Sequence, residues 1–133
     1  GLGWAFATFF NAHFEPGIDV VSRVTGLADV ISGRGTGGNP ADLVITGEGA
    51  IDAQTLNGKA PAGVAAVARN EGVPCVVLAG RVSSDADVLY DAGVTALVPI
   101  VQGASSLEDA LRDGEKNIER TARTVMRLVT TRV

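Results

Sequence analysis

The sequence predicts an α/β domain in which three parallel strands form an open sheet with helices on both faces. Three short apolar runs lack the polar–apolar alternation that a half-exposed strand shows. Each run is followed by a segment with helical spacing, and glycine or proline marks most of the boundaries. Strands that alternate with helices pair in parallel through right-handed crossovers. A three-layer architecture of the Rossmann-like or flavodoxin-like kind is therefore expected.

The first forty residues are predicted to form two helices and a loop. Leu2–Phe14 is apolar on nearly every side, which predicts a helix that is covered on most of its surface. Pro16 and Gly17 end this helix, and Ile18–Val24 predicts a short amphipathic one. Ser32–Pro40 holds four glycines and a proline in nine residues, which predicts a flexible loop.

The remainder of the chain predicts three strand–helix units. The apolar runs predict strands at Leu43–Ile45, Val73–Ala79 and Thr95–Val101. Helical spacing predicts helices at Pro61–Asn70, at Ser84–Ala92 and from Leu107 onward. Pro99 indicates that the third strand lies at a sheet edge or ends there, because proline cannot donate a ladder hydrogen bond.

The last helix is predicted from one apolar face that continues over about twenty residues. That face comprises Leu107, Ala110, Leu111, Ile118, Ala122, Val125 and Val129. Ser105 and Glu108 have the spacing of a capping box at its start. Arginines accumulate toward its end, where they complement the helix dipole. A solvated face is the favoured explanation for them, and a basic stripe for nucleic acid is the alternative.

Composition argues against several classes of protein. The chain has 133 residues, 46% hydrophobic and 20% charged, which fits one globular domain rather than disorder. A net charge of −4 argues against nucleic acid as a partner. The apolar N-terminal stretch is shorter than the roughly 20 residues that cross a bilayer, so no membrane partner is expected. Cys75 is the only cysteine, which fits a cytoplasmic location without disulfides.

The segment TGEGAIDAQTLNGKAPAGVA follows the first predicted strand and is expected to hold the functional site. In open α/β sheets, ligands bind beyond the carboxyl ends of the strands. Glu48 and Asp52 carry hard oxygen ligands suited to Mg²⁺, or a base for a hydroxyl proton. Lys59 stands just before the predicted helix start, where free backbone N–H groups attract anions. Gly47 and Gly49 are expected to adopt conformations closed to other residues and to admit a ligand.

A purely structural explanation of the same segment has equal weight at this point. In it the glycines make turns, and the carboxylates of Glu48 and Asp52 cap local backbone groups.

Two familiar nucleotide-binding motifs do not match this sequence. Gly33, Gly35 and Gly38 have dinucleotide-fingerprint spacing but precede a strand instead of following it. The pair Gly58-Lys59 lacks the first glycine and the hydroxyl residue of a P-loop.

Other polar candidates have ordinary explanations. His13, the sole histidine, is expected to be a packed or rim residue of the first helix. Cys75 lies among valines, where a small buried hydrophobic residue is expected. Arg81 follows the second strand and can reach an anionic ligand there, although a surface arginine is the favoured explanation.

The segment ADLVITGEGAIDAQTLNGKAPAGVA resembles the signature region of the bacterial glycerate kinases, ATP-dependent enzymes that phosphorylate D-glycerate. The resemblance continues through VPCVVLAG, DADVLYDAGVTALVPI and SLEDAL and covers nearly the whole chain. The opening GLG resembles the end of a glycine-rich run in that family. Because the family's enzymes are longer and have two α/β domains, residues 1–133 are expected to be one α/β domain, the C-terminal portion of such a kinase. The loop SGRGTGGNP departs from the family in being longer and richer in glycine.

The resemblance implies that a hydroxyl of glycerate, favouring the 2-position, attacks the γ-phosphoryl group of ATP in the presence of Mg²⁺. It implies catalytic roles for Asp52, Glu48 and Lys59. Asp52 takes the hydroxyl proton or holds Mg²⁺, Glu48 supports the metal, and Lys59 contacts a phosphate or the glycerate carboxylate. Substrate or nucleotide binding is implied for Thr46, Gly47, Gly49, Gln54, Gly58 and Asp19.

Two further expectations accompany this interpretation. The isolated chain is expected to be inactive, because the cleft of the family lies between its domains. A non-catalytic flavodoxin-like or receiver-like module, binding a small anion or a protein, is the alternative function. Self-association into a homo-oligomer is expected if the apolar face of Trp4, Phe6 and Phe10 is exposed.

Overall fold

The structure is a computed structural model that describes residues 7–10, 15–35 and 37–131. Residues 7–10 are helical, which agrees with part of the first predicted helix. Phe9 and Phe10 are largely exposed there, so the described part of this helix is not covered as predicted. The predictions for Trp4, Phe6 and His13 lie outside the described residues.

The three predicted strands form one open sheet in the order β1-β2-β3. The strands are β1 (Val44–Ile51), β2 (Cys75–Val82) and β3 (Ala96–Pro99). Both pairings are parallel, with Val44 opposite Cys75 and Val76 opposite Ala96. Pro99 is the last residue of β3, which lies at an edge of this sheet, as its proline predicts.

The first strand ends six residues later than predicted, at Ile51 instead of Ile45. Gly47, Glu48 and Gly49 therefore lie within the strand and not in a loop. A Cβ on Gly47 would come 2.6 Å from the carbonyl oxygen of Leu78, so glycine permits a close approach of the two strands. Neither Gly47 nor Gly49 has a positive φ angle, and the expectation of unusual backbone conformations at these positions is wrong.

Helices precede, connect and follow the strands in the described residues. They are α1 (Gly17–Thr25), α2 (Leu27–Ile31), a 3₁₀ helix (Ala53–Leu56), α3 (Ala60–Asn70), α4 (Val88–Asp91), α5 (Leu107–Arg112) and α6 (Gly114–Thr130). The predictions for α1 and α3 are confirmed. Pro61 occupies the first turn of α3, and Gly72, with φ +72°, follows its end.

Two helix predictions are wrong in extent. The final helix is interrupted at Asp113, which lies between the end of α5 at Arg112 and the start of α6 at Gly114, a residue type that is a poor helix former. Its cap is Ser106, whose Oγ accepts from the backbone N–H of Asp109 at 3.1 Å, and not Ser105 with Glu108. The predicted helix Ser84–Ala92 is reduced to α4, with turns at residues 84–87.

The glycine-rich loop is anchored at the one arginine it contains. Arg34 donates two hydrogen bonds to the carboxylate of Glu71 at 2.9 and 3.0 Å, and a third, longer one to Asp29. The arginine holds the pKa of Glu71 below its usual range. The described part of this loop is therefore tied to the end of α3 and is not the free segment that its composition predicts.

Helices cover both faces of the sheet, which confirms the three-layer arrangement. On one face, Cys75, Val77 and Ala79 pack in a core with residues of α3 and α4. On the other, Val76 and Leu78 form a smaller cluster with Ile100 and with Val125 of α6. Cys75 is fully buried as predicted, and burial raises the pKa of its thiol to about 11.

The apolar face predicted for the last helix is only partly covered in α5 and α6. Val125 is buried, whereas Leu107 and Leu111 are largely exposed. Within the described ranges, no helix combines the length and the apolar character needed to cross a bilayer.

Candidate active site at the carboxyl ends of the strands

The three charged residues predicted to be catalytic converge in the structure. The ammonium nitrogen of Lys59 lies 3.8 Å from Glu48 Oε1 and 3.9 Å from Asp52 Oδ1. We call these three residues the charged cluster. Each side chain is partly exposed, with 39% of the Lys59 side chain and 33% of each carboxylate side chain accessible. The cluster can therefore be reached by a ligand from solvent.

Each member of the charged cluster is placed by a different element. Glu48 lies in β1, opposite Ala79 of β2. Asp52 is the residue directly after β1 and caps the 3₁₀ helix, with an extended backbone at φ −146° and ψ 179°. Lys59 caps α3, and Gly58 before it has φ +84°, a conformation that favours glycine. The end of one strand and the start of one helix thus bring the cluster together.

Asp52 also has a local structural role. Its backbone N–H donates to the buried Thr55 hydroxyl at 3.3 Å, and that hydroxyl lies 3.5 Å from Asp52 Oδ1. This arrangement is a capping box, so the structural alternative describes part of what Asp52 does. The contact leaves the carboxylate close to Lys59, so the two roles coexist.

The contacts within the charged cluster are electrostatic and not hydrogen bonds, because both distances exceed the usual 2.7–3.2 Å range. Pairs of partly exposed charges like these contribute about 1 kcal/mol or less to stability. Little stability is therefore lost when Lys59 exchanges a carboxylate for an anionic ligand. A ligand that takes the ammonium group would leave both carboxylates available to a cation.

A cleft of about 560 Å³ adjoins the charged cluster and contains Glu48 in its wall. Gly47, Glu48, Gly49 and Arg81 line it from the sheet. Leu107, Leu111 and Ile118 line it from α5 and α6. A Cβ built on Gly49 meets nothing within 4 Å, so the backbone at this glycine faces open space. Arg81 places a cation on this cleft, in addition to Lys59 of the charged cluster, which does not line it.

The other predicted binding residues are distributed more widely. Gly47 and Gly49 line the cleft, and Gly58 adjoins Lys59 in sequence. Thr46 is half-buried within β1 opposite Val77, and Gln54 is exposed on the 3₁₀ helix. Asp19 lies on α1 in a separate hollow of about 300 Å³, which Gly58 also lines. The structure therefore brings the charged cluster together and places Asp19 apart from it.

One residue near the site was missed in the sequence. Asp85 follows β2 and is exposed on the turn at residues 84–87. The Ser83 hydroxyl is the main cause that holds the pKa of Asp85 below its usual value. The sequence signal was a serine two positions before an aspartate, directly after a strand, because such pairs commonly form turns.

The donor set of the charged cluster fits Mg²⁺ better than a metal held wholly by protein. Among the described residues, no group of three or more histidine, cysteine or carboxylate side chains is placed to hold a metal ion. Mg²⁺ is commonly held by one or two carboxylates, with water and substrate phosphates completing its shell. Glu48 and Asp52, which approach the same ammonium nitrogen, would supply those carboxylates.

The fold and the cluster define an α/β protein with a charged ligand site at the carboxyl edge of a parallel sheet. Comparison with known proteins gives the family. The model of the glycerate kinase family matches residues 1–130, and the chain belongs to that family.

Relatives agree with this assignment. The chain is 42% identical over 125 residues to glycerate kinase from Bacillus subtilis, and 34% identical over 125 residues to glycerate 2-kinase from Escherichia coli. Each alignment covers 94% of this chain and 31% of the relative. A crystal structure of a protein assigned as glycerate kinase 2 from Salmonella typhimurium LT2 matches with a TM-score of 0.64 and 35% identity. That match covers 94% of this chain and 30% of the other. The chain therefore spans about a third of the length of its relatives.

Proposed function

We propose that the chain supplies part of the active site of an ATP-dependent kinase that phosphorylates glycerate. The observation that carries the proposal is the convergence of Glu48, Asp52 and Lys59 beside a cleft at the carboxyl edge of the sheet. Phosphoryl transfer needs positioned charges more than covalent chemistry, and this cluster offers both signs of charge. Relatives named glycerate kinase favour glycerate as the substrate, and the relative named glycerate 2-kinase favours its 2-hydroxyl group.

In the proposed reaction, the hydroxyl oxygen of glycerate forms a bond to the γ-phosphorus of ATP. The bond from that phosphorus to the bridging oxygen breaks, and ADP leaves with the electron pair. Asp52 accepts the hydroxyl proton, since a carboxylate next to an alcohol can act as general base. Lys59 binds a phosphate oxygen or the glycerate carboxylate, and Arg81 is available for the other anionic group.

Mg²⁺, when bound, would neutralise charge on the phosphates, and Glu48 and Asp52 are the residues that would hold it. Thr46, Gly47, Gly49, Gln54, Gly58 and Asp19 remain proposed binding residues. Asp19 would contact a ligand only if that ligand extended beyond the charged cluster, because it lies in another hollow.

The activity is proposed for a longer protein, because the relatives are about three times as long as the matched segment. We call the product of the complete open reading frame containing residues 1–133 the intact protein. A two-domain architecture for it and inactivity of residues 1–133 alone stay predictions. A stop codon just before Gly1 would favour the alternative, a non-catalytic binding module.

The test is the turnover number of the intact protein with ATP, Mg²⁺ and D-glycerate. Asp52→Ala should lower kcat by about a hundredfold or more, the usual scale for loss of a general base. Asp42→Ala removes an exposed carboxylate just before β1 and should leave kcat unchanged. A kcat for Asp52→Ala within a few-fold of wild type would refute the base assignment. No phosphoglycerate from the wild-type intact protein would refute the kinase assignment.

A further inference from the structure

Thr55, in the 3₁₀ helix after β1, contacts Asp52 at three points. Its backbone N–H donates to the carbonyl oxygen of Asp52 at 3.0 Å. Its hydroxyl oxygen accepts from the backbone N–H of Asp52 at 3.3 Å and lies 3.5 Å from Asp52 Oδ1. A hydroxyl group has one proton to donate and two lone pairs that accept, so it can serve the N–H and the carboxylate together. One residue therefore holds both the backbone and the side chain of Asp52.

Asp52 is partly exposed, but the residues that hold it are buried. Thr55 is 0% exposed, and its β-branched side chain has few rotamers, so its hydroxyl points in a fixed direction. Ile51, directly before Asp52, is also 0% exposed. Its carbonyl oxygen accepts from the backbone N–H of Ser83, which follows β2, at 2.8 Å. Asp52 thus lies between two fixed points of the core.

The carboxylate oxygen that faces the Thr55 hydroxyl is the same one that faces Lys59. Asp52 Oδ1 lies 3.5 Å from the hydroxyl oxygen and 3.9 Å from the ammonium nitrogen. When an anionic ligand takes the ammonium group, the Thr55 hydroxyl is still in contact with Oδ1. Hydrogen bonds of catalytic groups are often long without substrate and tighten when it binds. Thr55 can therefore hold the carboxylate while Lys59 changes partner.

We propose that Thr55 is a positioning residue for Asp52, whose hydroxyl group fixes the direction in which the Asp52 carboxylate points. Thr55 is buried and does not line the cleft, so it acts through Asp52 and not by touching a ligand. The inference rests on the proposed function, since it assigns Thr55 a part in orienting the proposed base or metal ligand.

Two substitutions in the intact protein separate the hydroxyl of Thr55 from its methyl group. Thr55→Val keeps the shape and loses the hydroxyl. Because residues that orient a metal ligand typically change activity by about 10- to 100-fold, it should lower kcat by about tenfold or more. KM for ATP should stay within about threefold of wild type, since no charge is removed. Thr55→Ser keeps the hydroxyl and loses a buried methyl group, so it should lower Tm while kcat stays within about threefold of wild type.

Thr121→Val is the matched control, because it removes another buried hydroxyl. Thr121 of α6 is 1% exposed, and its hydroxyl oxygen has no hydrogen-bond partner among the described residues. This variant should leave kcat and KM unchanged. Amide hydrogen exchange supplies a readout that needs no turnover. The Asp52 N–H should exchange faster than wild type in Thr55→Val and at the wild-type rate in Thr121→Val, and it should stay protected in Thr55→Ser.

The outcomes separate this inference from the proposed function. If Asp52→Ala abolishes turnover while Thr55→Val keeps wild-type kcat, the positioning role is refuted. Equal losses of kcat in Thr55→Val and Thr55→Ser would also refute it, because the hydroxyl would then not be the group that matters. If Asp52→Ala retains wild-type kcat, the proposed function fails whatever Thr55 does.

Should Thr55→Val not fold, as judged by circular dichroism, Thr55→Cys decides, because a thiol is a weaker donor and acceptor than a hydroxyl. Its kcat should fall by about threefold or more, and wild-type kcat in that variant would overturn the inference.

Discussion

The two faces of the sheet are built differently although the same strands form both. The face that packs on α3 and α4 is closed, with Cys75 and Val77 fully buried and Leu89 of α4 buried against it. The face toward α5 and α6 has a smaller buried cluster and an open cleft. Apolar side chains that would normally be covered, such as Leu107 and Leu111, line that cleft. The closed face supplies stability, and the open face carries a cleft that Glu48, one member of the charged cluster, lines.

The comparison predicts unequal costs for the same substitution on the two faces. Leu89 is 0% exposed on the closed face, and Leu111 is 74% exposed on the open one. Leu89→Ala should lower the free energy of unfolding by about 2–5 kcal/mol, because it removes buried methyl groups and leaves a cavity. Leu111→Ala should change it by about 0.5 kcal/mol or less. Urea unfolding measures both, and equal losses would contradict the contrast between the faces.

A second pair of substitutions tests the contrast within one strand. Gly47→Ala places a Cβ 2.6 Å from the Leu78 carbonyl oxygen and should cost about 1–3 kcal/mol of unfolding free energy. Gly49→Ala meets nothing within 4 Å and should leave stability within about 0.5 kcal/mol of wild type. Since Gly49 faces the cleft, its alanine variant should instead weaken ligand binding in the intact protein. A larger stability loss from Gly49→Ala than from Gly47→Ala would be the contrary result.

The smallest effect concerns pH on the closed face. Burial raises the pKa of the Cys75 thiol from 9.0 to about 11, so the folded state keeps its proton while the unfolded state loses it. Stability should therefore fall as pH rises from about 9 to about 11, where the unfolded state binds fewer protons. Thermal unfolding of wild type should show a steeper decline over this window than Cys75→Ala, which lacks the thiol. Parallel declines would contradict burial of the thiol.

Much of this fold could be predicted from the sequence, because long-range packing agrees with local pattern. The apolar runs gave the three parallel strands, and the proline and glycine punctuation gave α1 and α3. The prediction failed where a contact between distant segments decides the outcome. Gly47 continues a strand because glycine tolerates the neighbouring carbonyl of Leu78, a contact that spacing along one chain does not reveal. The anchoring of Arg34 on Glu71, 37 positions away, has the same origin.

The candidate site shows the same difference between residues that are close in sequence and residues that only the fold brings together. Glu48, Asp52 and Lys59 could be selected because they lie close in sequence after one strand, and the structure brings them together. Asp85 belongs to the connection after β2, which lies beside the connection after β1 because the two strands are in parallel register and the Ser83 N–H bonds the Ile51 carbonyl oxygen. Asp19 was selected by resemblance, and the structure places it in a different hollow.

A crystal structure of the intact protein with a non-hydrolysable ATP analogue, Mg²⁺ and D-glycerate tests the central claim most directly. The account predicts a metal ion about 2.1 Å from a carboxylate oxygen of Glu48 or Asp52. It also predicts the Lys59 ammonium group within hydrogen-bonding distance of a phosphate or of the glycerate carboxylate. Ligands bound away from all three residues, with Lys59 still between the two carboxylates, would contradict it.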